Sequence, residues 1–195
     1  MNWETLMSFG DSITIGSRTY LGYPEKSADI LMQETGRSWN VFNIAVAGFT
    51  TIQLNRLVSE RMTQLRSEQP SICTLMIGTN DAKSGTSEEN FKLAYHQLLI
   101  KIRLIQKNRH VILIGIPLLE EGVMLPYEID MNRRIVAFNE IIQSFAEDQG
   151  LHFLKFNGAS HHYFDGVHLN EAGVEHYGKQ LAAYILKLRG KEYEH

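Results

Sequence analysis

Cysteine is nearly absent: of 195 residues only Cys73 carries a thiol. That excludes an internal disulfide and a cysteine-built zinc site. Cys73 itself falls inside an apolar run and reads as inert core, not as a reactive group. An excess of positive charge is missing too. Lys and Arg total 19 against 22 Asp and Glu, a formal net charge of −3. Nucleic acid and anionic membrane surfaces demand basic patches, so neither is expected as a partner. Long apolar runs are lacking as well, none approaching the ~18 residues needed to cross a bilayer. The first basic residue is Arg18, after a segment that already reads as a strand, so the N-terminus does not show the basic-then-apolar pattern of a secretory signal. These absences predict a cytoplasmic chain acting on a small molecule. Nothing resembling a linker, a repeat or a low-complexity tract interrupts the sequence, which predicts one domain over 1–195, long enough to bury roughly 70% of its unfolded surface without a staple.

What is present is an alternation. Short apolar runs at 5–10, 40–46, 72–78, 111–117 and 151–156 are bounded by Gly, Pro, Asn or Ser, as buried strands are. Between them the apolar period lengthens to 3.6. Phe91, Tyr95, Leu98, Ile102 and Ile105 share one helical face, with Thr86 and Glu89 spaced as a capping box. Ile135, Phe138, Ile142 and Phe145 form a second stripe, which Gly150 is placed to stop. Val174, Tyr177, Leu181, Tyr184 and Leu188 form a third, with Asn170 as N-cap and Glu171 in the first turn. Weaker helical patterns cover 26–34 and 52–65. Five strand–helix alternations predict an α/β fold, a parallel five-stranded sheet in a three-layer α/β/α sandwich.

Right-handed crossovers bring the carboxyl ends of such strands to one rim, where ligands bind. The segments there are Gly10-Asp11-Ser12, Ala47-Gly48-Phe49, Thr79-Asn80-Asp81, the connection 118–130 and the connection 157–170, which contains Asp165-Gly166-Val167-His168. Ser12 is the candidate nucleophile. A serine hydroxyl needs a base within hydrogen-bond reach, and the base needs an orienting partner. His168 can be the base and Asp165 its partner, because a carboxylate three residues earlier can fold back onto the imidazole. Donors for a developing oxyanion are the backbone N–H groups of Ser12 and Gly48 and the side-chain amide of Asn80.

Gly10-Asp11-Ser12-Ile13 resembles the GDSL block. The order Ser12, Gly48, Asn80, His168 is similar to that of the SGNH hydrolase superfamily, as are Gly78-Thr79-Asn80-Asp81 and the closing Asp165-Gly-Val-His168. The resemblance runs from residue 9 to about residue 185. It implies a flavodoxin-like fold and hydrolysis of carboxylic esters through an acyl-serine intermediate, with no cofactor and no metal. Ile13 stands in place of the namesake leucine, a swap of equal size. Ala45, Ala47 and Phe49 depart from the small or polar residues more usual around Gly48, and Phe49 bears on which substrate fits.

Other residues have plainer readings. His152, His161, His162 and His176 match no metal-ligand spacing and read as polar loop or helix-surface histidines. Asp11 and Asp81 read as turn supports, and Met7, Phe9, Met76 and Phe153 as core. Leu118, Leu119, Val123, Met124, Leu125 and Tyr127 make the connection after the fourth strand apolar, as the wall of an acyl or leaving-group pocket would be, or as a loop packed on its own helices or on a second subunit. Short- or medium-chain acyl esters and acetylated carbohydrate remain open as substrates, as do lysophospholipids and thioesters. A metal-dependent phosphoesterase on the same fold is the competing enzyme class, and a binding module that keeps the fold without the chemistry is the third reading.

Overall fold

The computed structural model describes residues 3–106, 110–120, 122 and 128–192. Five strands, β1 (Trp3–Gly10), β2 (Ser38–Asn43), β3 (Ile72–Met76), β4 (Val111–Ile114) and β5 (His152–Leu154), form one parallel sheet in the order β2-β1-β3-β4-β5. This is the flavodoxin-like order, with its switch point between β1 and β3. The helices are α1 (Ser12–Ile15), α2 (Tyr23–Thr35), α3 (Thr51–Glu60), α4 (Met62–Ser67), α5 (Thr79–Lys83), α6 (Glu88–Ile105), α7 (Glu128–Gln149) and α8 (Glu171–Glu192).

Side chains alternate across the strands with period two, which fills both faces of the sheet. In β1, Leu6 joins the core beneath α2 and α8, while Met7 and Phe9 join the core beneath α3, α4, α6 and α7. In β4, Ile112 and Ile114 face the first layer and Val111 and Leu113 the second. Cys73 lies in the second core, fully buried, and burial pushes its thiol far above the ordinary value. Met7, Phe9 and Met76 are buried as expected, whereas Phe153 is half-buried at the side of a cleft.

The sequence pattern and the structure differ mostly at ends. Strand β2 spans 38–43, not 40–46, although Ile44 and Val46 still donate backbone bonds to Ser8 and Gly10. Helix α2 begins at Tyr23 because Pro24 fits the first turn, and it stops at Gly36, whose φ of 64° closes the last turn. The pattern over 52–65 is two helices, since Arg61 leaves the helical region at φ −105° and ψ 9°. The cap of α6 is not the Thr86–Glu89 box: Ser87 is the N-cap, and its hydroxyl accepts from Asn90 N–H. Gly150, with φ 61°, follows the end of α7, and Asn170 caps α8 by accepting from Gly173 N–H at 3.0 Å.

At the far end from the carboxyl rim, Glu4 takes a two-pronged bond from Arg189 (2.7 and 2.8 Å) and one from Arg37 (2.8 Å). This ties the C-terminal turns of α8 to the start of β1. Arg189 also lies 4.9 Å above the Trp39 ring.

Candidate active site

Strand β1 delivers the nucleophile candidate. Gly10 is needed at its end, because a Cβ there would stand 2.6 Å from the Met76 carbonyl of β3. Asp11 then caps α1, its Oδ1 accepting from Ile13 N–H at 3.1 Å. Ser12 is thereby placed at the first position of a helix, where its own N–H has no partner within the helix. Neither α1 nor α5 is long enough to show a helical period, so the sequence pattern alone could not find them. Both lie directly after strands at the switch point.

The loop after β5 delivers the other two groups. Asp165 Oδ1 accepts from the backbone N–H of Val167 (3.2 Å) and of His168 (2.8 Å), and Gly166 turns the chain with φ 77°. Phe164 N–H donates to His168 O, and Tyr163 bridges Leu169 antiparallel, so the four residues sit on a closed loop. His168 Nδ1 lies 2.8 Å from Asp165 Oδ2 and 3.1 Å from Oδ1. His168 Nε2 lies 3.0 Å from Ser12 Oγ. With Nδ1–H donated to the carboxylate, Nε2 presents the lone pair that can take the serine proton. Burial raises the Asp165 carboxyl, but the bonds from His168 and Val167 outweigh it and hold the group below its ordinary value. Arg18 Nε, 3.8 Å from Asp165 Oδ2, adds a weaker positive neighbour, and its guanidinium lies over the Phe164 ring.

The three oxyanion candidates converge on the same rim. Asn80 lies in the first turn of α5, and its Nδ2 donates to Phe49 O at 3.0 Å, which aims the amide and leaves its second N–H. Gly48 adopts φ 81°, a conformation that a side chain would disfavour. Among the described residues nothing accepts from the N–H of Gly48 or of Ser12. The segment with Gly48 is held by Asp81, whose Oδ2 accepts from Thr51 N–H (2.8 Å) and Thr51 Oγ (3.0 Å). Burial raises the Asp81 carboxyl and these bonds lower it, with burial prevailing. Asp81 is therefore a support, as the sequence suggested. Phe49 is half-buried with part of its ring against the core, Ala45 is buried and Ala47 is exposed.

Other expectations change. His162 is not a surface residue: it is buried, its Nδ1 accepts from Ala159 N–H, and its ring stacks on His176 at 4.2 Å with the tilted His161 ring 4.1 Å away. His152 packs edge-on against Tyr184. Leu119 is core, not pocket wall, because Asn132 of α7 pins its N–H (2.8 Å) and its carbonyl (3.1 Å) and folds the side chain inward. Leu118 is exposed, and Val123, Met124, Leu125 and Tyr127 lie outside the described residues. Leu118 instead borders a cleft of about 730 Å³ between the ends of β4 and β5 and α7, with Glu120, Phe153, Lys155 and Tyr163 among its walls. A larger cavity, about 870 Å³, lies beside Arg66, His110 and Arg189 at the opposite end of the strands, away from Ser12. No helix among the described residues is long and apolar enough to cross a membrane.

Residues 8–176 match the model of the GDSL-like Lipase/Acylhydrolase family. Solved structures share the fold across nearly the full chain. A lipase/acylhydrolase from Enterococcus faecalis is 21% identical at a TM-score of 0.76, covering 93% of this chain and 95% of that one. An acetyl xylan esterase from Geobacillus stearothermophilus is 19% identical at 0.71, covering 91% and 92%. A GDSL-like lipase from Bacteroides thetaiotaomicron is 20% identical at 0.69, covering 95% and 89%. Comparison with curated proteins gives no match. With its family motifs gathered on one rim of a flavodoxin-like sheet, the chain belongs to the GDSL-like lipase/acylhydrolase family within the SGNH hydrolase superfamily, and it is a carboxylic ester hydrolase.

Proposed function

We propose that the protein is a serine esterase working through an acyl-serine intermediate, on short- or medium-chain acyl esters or on acetylated carbohydrate. Ser12 Oγ attacks the ester carbonyl while His168 Nε2 takes its proton. The bond between Oγ and the acyl carbon forms, and the carbonyl oxygen gains the negative charge. The N–H groups of Ser12, Gly48 and Asn80 receive that oxyanion, which develops only in the transition state. Asp165 holds the imidazole in its tautomer and balances the imidazolium. The tetrahedral intermediate collapses, His168 hands the proton to the leaving alcohol, and water repeats the sequence on the acyl-enzyme.

One observation carries this reading: the continuous contact from Asp165 Oδ2 through His168 to Ser12 Oγ, at 2.8 and 3.0 Å. The acetylated-carbohydrate option is supported by the likeness to an acetyl xylan esterase. The phosphoesterase alternative needs a ligand set, and among the described residues no group of three or more His, Cys, Asp or Glu is placed to hold a metal ion. The test is turnover of p-nitrophenyl esters of increasing chain length and of acetylated xylo-oligosaccharides, with Ser12→Ala as control and with EDTA added. Turnover that EDTA leaves unchanged and Ser12→Ala abolishes supports the serine reading. Loss to EDTA, or an active Ser12→Ala variant, refutes it.

A further inference from the structure

The three candidate oxyanion donors come from three separate stretches of chain, those after β1, β2 and β3, so their mutual placement must be held by contacts between the stretches. One such contact is the bond from Asn80 Nδ2 to Phe49 O, which ties the stretch after β3 to the Gly48 turn. A second, between the Gly48 turn and α1, is made by Asn43 at the end of β2.

Asn43 uses both ends of its amide. Its Oδ1 accepts from Ala45 N–H at 3.2 Å, a local turn that starts the chain towards Gly48. Asparagine, aspartate and serine all make such a turn. Its Nδ2 makes bonds that the turn does not need, donating to Thr14 O at 3.2 Å and to Glu25 Oε1 at 2.9 Å. Thr14 lies in α1, two residues after Ser12, and is fully buried. Glu25 stands in the first turn of α2, and its carboxyl oxygen holds the amide with the NH2 end towards Thr14. Gly22 leaves room for this arrangement, because a Cβ there would collide with the Thr14 carbonyl and meet Glu25 Oε2 at 2.9 Å. The backbone bonds from Ile44 to Ser8 and from Val46 to Gly10 run alongside, but they tie the segment to β1 and not to α1.

We propose that Asn43, aimed by Glu25, is a positioning residue for the oxyanion hole: by joining Thr14 O to the start of the Gly48 turn, it sets the Gly48 N–H against the Ser12 N–H. The inference rests on the acyl-serine reading above and adds a residue that touches neither the substrate nor the triad. A displaced donor meets the forming charge off line, so the loss falls on the transition state and not on substrate binding.

The experiment compares Asn43→Ser, Glu25→Ala and Glu25→Gln with the wild type on p-nitrophenyl acetate, with a thermal melt of each. Serine keeps an acceptor for Ala45 N–H and removes both Nδ2 bonds. The second readout is affinity for a trifluoromethyl ketone. Ser12 Oγ adds to its carbonyl carbon, His168 takes the proton and the ketone oxygen becomes an alkoxide, so the inhibitor reports the donors without turnover. Asn43→Ser should lower kcat about 10²-fold, the scale of a reacting group misplaced by ~1 Å, with KM unchanged. Its affinity for the ketone should fall by a similar factor. Glu25→Ala should lose both by less, and Glu25→Gln, which keeps an oxygen for Asn43, should restore them. A purely structural strut lowers Tm and leaves kcat and ketone affinity alone, and that result overturns the proposal. So does a slow Asn43→Ser that binds the ketone as the wild type does, or a Glu25→Gln no faster than a slow Glu25→Ala. If Asn43→Ser does not fold, the Glu25 pair decides: a Glu25→Ala with wild-type kcat rejects the proposal, and one that is slow and rescued by Glu25→Gln supports it. Asn80→Ala separates the two levels. Full activity there removes the oxyanion reading itself, whereas a slow Asn80→Ala beside a fast Asn43→Ser removes this inference alone.

Discussion

Replacing Asn80 with alanine separates transition-state stabilisation from binding. The side chain spends one N–H on Phe49 O at 3.0 Å and is aimed by that bond, leaving the other N–H for the oxyanion. Loss of one such preorganised donor lowers kcat by on the order of 10²–10³, or ~3–4 kcal/mol. KM should hardly move, because the donor meets charge that exists only in the transition state. The lost bond to Phe49 is neutral and only part-buried, worth ~1 kcal/mol of stability, which for a chain of this length lowers Tm by about 2–4 °C. The variant thus stays folded at assay temperature, and its defect is chemical. Steady-state kinetics on p-nitrophenyl acetate, with a thermal melt on the same sample, read both quantities. Asn80→Asp is the companion: nearly the same shape, but a carboxylate facing the forming oxyanion, so it should be at least as slow. A variant with wild-type kcat and a tenfold higher KM would make Asn80 a substrate-binding residue and refute the oxyanion assignment.

Three further outcomes are expected. Asp165→Asn should cost ~10³–10⁴ in kcat by leaving His168 in the wrong tautomer, with circular dichroism unchanged; a loss under tenfold contradicts the orienting role. Gly173→Ala places a Cβ 2.1 Å from the His162 carbonyl, which braces the loop with Asp165 and His168, so both Tm and kcat should drop, and an unaltered melt shows that the contact is not restrictive. The bond from Arg189, with lesser help from Ser71 and Arg37, holds the Glu4 carboxyl down at about 2 against an ordinary value of 4.5. A depressed acid stabilises the fold above its unfolded value, so Glu4→Gln should be less stable than wild type at pH 7, and the gap should close as pH falls from 4.5 towards 2. A gap that persists at the lowest pH would assign the loss to packing.

The layers of the fold were legible because each rests on a repeated signal. Five apolar runs and the stripes of Phe91–Ile105, Ile135–Phe145 and Val174–Leu188 mark buried strands and one-sided helices, and neither needs tertiary information. The ends were less legible. Pairing with β1 decides where β2 starts, and nothing in Ser38-Trp39 announces it. The pockets were least legible. Leu119 is an apolar residue in a rim loop, and only the clamp from Asn132, thirteen residues away, turns it inward. His162 carries no sequence mark of its stacking, since its partner His176 comes from α8. The candidate residues were legible in motif order, and the fold brings Ser12 and His168, 156 positions apart, to 3.0 Å.

Attack by Ser12 is tested most directly by a fluorophosphonate, which adds only to a nucleophile its own active site has activated. Peptide mass mapping after reaction with the wild-type chain should find one adduct per chain, on the peptide containing Ser12. His168→Ala should slow its formation by orders of magnitude. An adduct on another serine, or none in a preparation that hydrolyses esters, would contradict the account.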